Sequence, residues 1–184
     1  MAVERVADHQ IAGKLANASY KPLWIMTTHR DGEFSGSMVV SALSLYRSQP
    51  VKVVVCVTKH DHTHDLVMAS RVFALHVLRP DQLDLAVRFA YTSGREVDKF
   101  ASLSYKIGAT GCPVLTDCLG YMEFEVLADV DTPTHTVVVG EVRYAEAYLP
   151  LDDIGPGAGV NEEWFSKHAP PHPKSLAARV GTAA

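Results

Sequence analysis

The stretch that most constrains the fold is VKVVVCVTKHDHTHDLVMAS, residues 51–70. Its run of β-branched residues at 51–57 is typical of a strand that is buried on both faces. A polar segment follows at 58–63, and the next residues predict a short helix with Asp61 or Thr63 as its N-cap. We therefore expect a strand, a polar loop and a helix N-terminus in direct succession.

This arrangement is suited to bind an anion, because the first N–H groups of a helix point outwards and its end carries partial positive charge. Lys59 adds a full charge, and His60, His62 and Thr63 add further donors. A terminal phosphate needs a cation and several short donors. The loop therefore predicts a phosphate site; the alternative is a solvated loop whose histidines are merely exposed.

Length and composition favour one globular domain: the chain has 184 residues, of which 47% are hydrophobic and 21% charged. A net charge of −4 without a basic stripe argues against nucleic-acid binding. Cys56, Cys112 and Cys118 are too irregularly spaced for a disulfide framework or a zinc site, which favours a reducing cytoplasm. The N-terminus lacks the apolar core of a signal peptide, and no apolar run approaches the roughly 20 residues of a membrane helix.

The remaining patterns predict several strands and few long helices. Residues 1–20 have roughly helical spacing and predict an N-terminal helix, and 21–149 form the main domain. Asp31-Gly32 predicts a tight turn between two of its strands. Residues 150–184 contain five of the ten prolines and predict an extended arm or mobile tail without a core of its own. Repeated strands favour a small barrel over a doubly wound sheet.

Four further segments refine this picture. The second strand of the turn is expected at 34–45, where small residues at 35–37 let another group approach the backbone closely. An amphipathic helix is predicted from Pro80 to about Tyr91. Long strands are predicted at 120–131 and 134–148.

Five segments, taken in order and spacing, carry a family resemblance: GSMVVSALSLYRSQP, CVTKHDHTHDL, FALHVLRPDQLDLAVRFA, TGCPVLTDCLGYMEFEV and THTVVVGEV. Together they resemble the flavin reductases of the FMN-binding split-barrel type, over about residues 22–146. The resemblance implies a mainly β fold with flanking helices, a Greek-key split β-barrel at 21–149. It also implies a homodimer with the flavin near the subunit interface.

The resemblance further implies that NADH or NADPH reduces FMN, or FAD, by hydride transfer. FMN would serve as substrate or as a bound prosthetic group, and a monooxygenase or an electron carrier would be the partner. Two alternatives keep the same barrel: a tightly bound FMN electron-transfer protein of the flavoredoxin kind, and a non-catalytic flavin- or heme-binding sensor. No acid–base catalyst or metal site is expected, because the cofactor carries the chemistry. Neither nucleic acid nor membrane is an expected partner.

Carried onto this chain, the resemblance places the flavin ring along the backbone of Val39, Val40 and Ser41, with Ser41 near N5. Val39 and Val40 could equally be core residues. Met38 stands where members often have threonine. The full set of expected flavin contacts is Met38, Val39, Val40, Ser41, Cys56, Val57, Thr58, Lys59, His60, His62, Thr63 and Lys99.

Three single residues have competing interpretations. Lys99 is expected to reach the flavin or a pyrophosphate, or else to form a surface ion pair. His135 is expected beside the nicotinamide, or else to be a histidine in a turn. His76 alternates with apolar neighbours in a predicted strand and is interpreted as structural.

Overall fold

The structure is a computed structural model, and it describes residues 21–45, 49–153 and 158–171. The N-terminal helix predicted at 1–20 lies outside the described residues. A short 3-10 turn follows the last strand at Leu151–Asp153. The strands and helices of the described part are β1 (Trp24–Arg30), β2 (Glu33–Val39), β3 (Ala42–Ser44), β4 (Lys52–Thr58), α1 (His62–Ser70), β5 (Val72–Val77), α2 (Leu83–Tyr91), β6 (Tyr105–Ile107), β7 (Pro113–Leu115), β8 (Gly120–Asp131), β9 (His135–Ala147) and α3 (Glu162–His168).

Seven of the strands form one antiparallel sheet in the order β2-β1-β5-β8-β9-β4-β3, while β6 and β7 pair separately. β2 and β3 lie at opposite edges of this sheet, yet only Val40 and Ser41 separate them in the chain. Three residue steps span at most about 11 Å. The sheet must therefore curl until its two edges approach each other, which confirms a mainly β fold with few helices.

The turn that starts the sheet is the predicted one. Asp31 and Gly32 have φ of 50° and 84°. Two successive positive φ values match the twist of a two-residue hairpin, and they join β1 to β2 in the register Arg30–Glu33.

β4 occupies the position predicted for the valine-rich strand, but the expectation that both of its faces are buried is wrong. Val55 and Val57 are 0% and 1% exposed, whereas the alternate residues Val54 and Cys56 are only half-buried. Side chains alternate between the two faces of a strand. One face of β4 therefore packs in the core, and the other lines a groove.

Aromatic rings organise the core on the inner side of the sheet. Phe73 and Phe124 stack with their centroids 5.0 Å apart and are fully buried. A Cβ on Gly140 would lie 2.6 Å from the ring of Phe73, so the glycine is what admits that ring. Gly36 likewise admits another ring, because a Cβ there would lie 2.5 Å from Phe89. The close approach expected at residues 35–37 is thus made by α2.

The C-terminal segment departs from the prediction of an arm without a core. Its described part, residues 158–171, contains α3, which Asn161 caps by accepting a hydrogen bond from the Trp164 N–H at 2.7 Å. Phe165 is 7% exposed and meets the Tyr91 ring edge-on at 5.7 Å. A seven-residue helix with a single buried aromatic leaves little periodicity in the sequence, which is why composition alone misled the prediction.

We expect Phe165→Leu to lower the free energy of unfolding by about 1 kcal/mol, because it removes an edge-to-face contact and part of a buried side chain. Urea unfolding followed by circular dichroism measures this change. Glu163→Gln, on the exposed side of the same helix, is the control. Equal stability of Phe165→Leu and the parent protein would mean that α3 does not contribute to the core.

Candidate functional site

A cavity of about 520 Å³ opens where β4 ends and α1 begins. Its other walls come from β2, from the end of α2 with the loop that follows, and from the start of β9. This size is within the range of small-molecule sites. The wall combines apolar surface from Met38 and Phe89 with a polar side at the helix start.

The N-terminus of α1 forms that polar side. Asp61 is the N-cap, with extended backbone at φ −77° and ψ 136°, and its side chain makes no capping hydrogen bond. The first-turn N–H groups are therefore not occupied by a cap side chain. The backbone turn is fixed instead by a bond from the Asp61 N–H to the Thr58 carbonyl at 3.0 Å. A helix start of this kind is suited to an anion.

β2 supports this helix start from behind. Ser35 and Thr63 are each 1% exposed, and their hydroxyls lie 3.0 Å apart in a hydrogen bond. One residue earlier on α1, His62 places Nε2 2.6 Å from a carboxylate oxygen of Glu33. Gly94 allows the loop after α2 to lie close to Ser35 and His62. A Cβ at this position would lie 2.9 Å from the Ser35 hydroxyl and 3.4 Å from the His62 ring.

Lys99 supplies a buried cation in the cavity wall. It is 5% exposed, and its ammonium donates to the carbonyls of Gly36 at 2.8 Å and Phe89 at 3.1 Å. Burial lowers the pKa of Lys99 to about 8, against the opposing attraction of Asp61. An ammonium has three donors, so one remains for a ligand. The alternative of a surface ion pair does not describe this residue.

Three charged residues that sequence reasoning did not select as site residues also line the cavity: Asp61, Arg95 and Glu96. Burial raises the pKa of Asp61, while Lys99 and Arg95 oppose that shift. Arg95 donates to the His60 carbonyl at 2.8 Å and to Asp65 at 2.6 Å, and so holds the loop after α2 against α1. The polar composition of residues 93–100 was the available signal for Arg95.

The structure divides the predicted flavin contacts into four groups. Val39 and Val57 are buried in the core, at 5% and 1% exposure. Lys59 lies outside the cavity lining and forms an ion pair with Asp131 at 2.5 Å. Val40, Ser41 and Cys56 line a second groove, described below. The cavity itself is lined by Met38, Thr58, His60, His62, Thr63 and Lys99, together with the predicted nicotinamide contact His135.

The second groove has a volume of about 630 Å³ and runs beside β3 and β4. Its wall is largely apolar and includes Trp24 and Leu43. Leu43 is 70% exposed, which is unusual for a large apolar residue beside further apolar surface. The connection 38–41 separates the cavity from the groove, because Met38 lines the former while Val40 and Ser41 line the latter.

His135 is exposed at the first position of β9, and its Nδ1 lies 2.8 Å from the Thr134 hydroxyl. The Thr134 carbonyl in turn accepts the Lys59 N–H at 3.1 Å, which ties the start of β9 to the loop before α1. His135 lines the cavity together with the loop after α2.

The sequence model of the Flavin reductase like domain family matches residues 17–152. The chain belongs to this family. Membership confirms the resemblance on which the site residues were chosen. The matched region contains all strands of the curled sheet of this flavin reductase-like protein.

Three curated relatives are similar in sequence. The chain is 34% identical over 129 residues to the high molecular weight rubredoxin of Moorella thermoacetica, covering 69% of this chain and 56% of that protein. It is 33% identical over 126 residues to a ferric-chelate reductase (NAD(P)H) of Archaeoglobus fulgidus, covering 67% and 74%. It is 34% identical over 123 residues to the reductase component of a 4-nitrophenol 4-monooxygenase/4-nitrocatechol 2-monooxygenase of Rhodococcus opacus, covering 67% and 64%.

Among solved structures, an FMN-binding protein of Thermus thermophilus superposes with a TM-score of 0.71 at 21% identity, covering 88% of both chains. A likeness at that identity supports the fold of this flavin reductase-like protein. None of the helices in the described ranges has the length and apolar character needed to cross a bilayer.

Proposed function

We propose that this protein is an NAD(P)H:flavin oxidoreductase, which transfers hydride from a nicotinamide nucleotide to FMN. The observation that carries the proposal is the cavity at the start of α1, where Lys99 presents a buried cation beside uncapped helix N–H groups. Family membership and the names of the curated relatives support the same activity.

The residues present fit the phosphate of a flavin mononucleotide. Thr63, His60 and His62 line the cavity with Lys99. His62 Nδ1 is buried and has no hydrogen-bond partner within the described part of the chain. A buried polar atom without a partner is costly, so a ligand acceptor at this place would be stabilising. Lys59 remains a proposed phosphate contact, and to act it must exchange its partner Asp131 for the ligand.

The isoalloxazine ring is proposed to lie along residues 38–41, the connection between the cavity and the second groove. Val39 would contribute backbone only, because its side chain is in the core. Ser41 is exposed, and its carbonyl accepts the Cys56 N–H at 3.0 Å, which holds the connection in place. Cys56 and Thr58 would then flank the ring and ribityl chain.

When bound, FMN supplies the acceptor for hydride at N5, and the protein needs no acid or base of its own. The residues of this chain bind the phosphate, align the ring and leave one face open to the nicotinamide. His135 stands on the exposed side of the cavity and is proposed to orient the nicotinamide there.

The finer architecture proposed is a Greek-key split barrel that assembles as a homodimer. The second groove and the exposed Leu43 and Val51 at the β3 edge offer apolar surface for a partner copy. Sedimentation of the purified protein tests this point. A monooxygenase component is the proposed acceptor of reduced flavin, as for the relative named a reductase component.

The activity is tested by adding NADH or NADPH anaerobically to the protein mixed with FMN. Loss of the visible flavin absorbance with either nucleotide is the expected result. Retention of that absorbance with both nucleotides would refute a reductase and leave a non-catalytic flavin sensor. A heme spectrum after purification would instead indicate a heme-binding module.

A second candidate is a protein with tightly bound FMN that passes electrons to a carrier. One relative is named a high molecular weight rubredoxin, which favours this candidate, and the chain covers 56% of that protein. Steady-state NAD(P)H oxidation separates the two functions. Stimulation by excess free FMN indicates a reductase that releases its flavin, whereas stimulation by rubredoxin or ferric chelates alone indicates the electron carrier.

We expect His135→Ala to slow anaerobic flavin reduction about tenfold, which corresponds to about 1.4 kcal/mol of transition-state stabilisation. FMN affinity should change less than twofold, because the residue is placed on the nicotinamide side. Stopped-flow absorbance and a flavin titration measure the two quantities. His168→Ala, on α3, is the control. An unchanged reduction rate would remove His135 from the site.

A further inference from the structure

We propose that Glu33 is a positioning residue for the flavin phosphate: it accepts a hydrogen bond from His62 Nε2–H and so orients the ring, and in the complex His62 Nδ1–H donates to a phosphate oxygen. This inference rests on the proposed function and adds a residue that no sequence pattern selected. Glu33 begins β2, whereas His62 begins α1, so only the tertiary structure brings them together.

The contact itself defines the state of the imidazole. Glu33 Oε1 lies 2.6 Å from His62 Nε2. A carboxylate only accepts hydrogen bonds, so Nε2 must carry a proton. The other nitrogen, Nδ1, is buried and makes no hydrogen bond to any residue of the described ranges. His62 lines the cavity, so Nδ1 is the ring nitrogen left for a ligand there.

The ligand chemistry follows from this assignment. With Nε2–H engaged, Nδ1 of a neutral ring is an acceptor, and it becomes a donor only when the ring takes up a second proton. Oxygens of a phosphate dianion accept and do not donate. A phosphate oxygen therefore accepts from Nδ1 only when both ring nitrogens carry a proton, and this imidazolium lies between two anions, Glu33 and the phosphate.

The surroundings hold the ring in this orientation. His62 is at the first helical position, where partial positive charge also favours an anion. Gly94 approaches the ring at Cδ2, and the neighbouring Ser35–Thr63 hydrogen bond fixes α1 on β2. The side chain of His62 is 15% exposed, so its freedom to turn away is small.

Other charged groups share the cavity and contribute to its pH dependence. The side chain of Glu33 is 58% exposed. The titratable and charged groups that line the cavity with His62 are His60, Asp61, Arg95, Glu96, Lys99 and His135, while Asp65 and His64 follow on α1 itself.

The decisive experiment compares FMN with riboflavin, which has the same ring and ribityl chain but no phosphate. The measured quantity is the ratio of the two dissociation constants, from flavin fluorescence titrations. We expect Glu33→Gln to reduce the preference for FMN about tenfold and to leave riboflavin affinity within twofold of the parent protein. Glu163→Gln on α3 is the matched control and should change neither affinity.

The sign of the effect separates this proposal from simple charge repulsion. Removing a carboxylate near an anion site would ordinarily strengthen FMN binding, whereas the loss of an oriented imidazolium weakens it. The same substitution should have no further effect in a His62→Gln background. Proton uptake on FMN binding, from calorimetry in buffers of different ionisation enthalpy, should be smaller in Glu33→Gln than in the parent protein.

Two outcomes would overturn the inference. The first is an unchanged or increased preference of Glu33→Gln for FMN, and the second is an equal effect of Glu33→Gln in the His62→Gln background. A parent protein that binds FMN and riboflavin equally would instead refute the phosphate site of the proposed function.

Discussion

Lys99→Met is expected to weaken FMN binding about 50-fold, or about 2.3 kcal/mol, a loss typical of a charge-assisted hydrogen bond in a desolvated site. Lys99 is the cation that the cavity wall buries most completely, at 5% exposure, and methionine preserves much of its apolar stem. Riboflavin affinity should fall far less than FMN affinity. Fluorescence titration with both flavins measures the difference.

The pH dependence of FMN affinity provides a second measurement for Lys99. Burial lowers the pKa of Lys99 to about 8, so the ammonium is charged below that pH and neutral above it. FMN affinity should therefore fall as the pH rises through about 8, and bound phosphate should shift this fall to higher pH. In Lys99→Met that dependence should disappear.

Lys59→Met is the companion variant. The sequence predicted that Lys59 contacts the phosphate, whereas in the structure Lys99 is the lysine that lines the cavity. Lys59 is bound to Asp131 and its side chain is 30% exposed, so we expect a smaller effect than at Lys99. If Lys59→Met loses FMN affinity and Lys99→Met does not, the phosphate lies at the outer loop and the assignment of Lys99 is wrong.

Acid is expected to destabilise the protein through His76, by up to about 3 kcal/mol between pH 6.5 and 4. Burial lowers the pKa of His76 from 6.5 to about 4. Its Nδ1–H donates to the Ile25 carbonyl at 3.0 Å, and its Nε2 accepts the Leu115 N–H at 3.1 Å. The folded state therefore holds the neutral ring, whereas the unfolded chain takes up a proton below about pH 6.5.

Because of this difference, the stability that the neutral ring of His76 contributes is fully present above about pH 6.5 and declines as the pH falls towards 4. Urea unfolding at pH 7.5, 6, 5 and 4.5 measures the decline. His76→Asn should be less stable at pH 7.5, since the Leu115 N–H loses its acceptor, but should show a shallower decline. An equally steep decline in both proteins would assign the acid sensitivity to carboxylates instead.

Short-range patterns in the sequence set the position of several elements. The Asp31-Gly32 turn, the strand at β8 and the valine-rich strand β4 are set by short-range patterns, and all three form as predicted in position. The burial of β4 was not predicted correctly: its residues alternate between buried and half-buried. Burial depends on what packs against a strand and not on the composition of the strand.

The structural role predicted for His76 is confirmed, and the mainly β class also follows from the sequence. Residues far apart in the chain were harder to place. Glu33 lies 29 positions from His62, and Lys99 lies 63 positions from the Gly36 carbonyl that it bonds. No local pattern predicts such pairs, since they arise only when the curled sheet brings β2 against α1 and α2.

The sequence by itself determined the strand order along the chain, the helix start at residues 61–63 and membership in the flavin reductase-like family, because periodicity, turns and motif spacing are properties of neighbouring residues. Only the tertiary structure decided that Lys99 is buried in the cavity wall, that Lys59 is paired with Asp131 and that residues 158–171 pack against the body. Burial and ion pairing depend on contacts between distant segments, and the curl of the sheet creates those contacts.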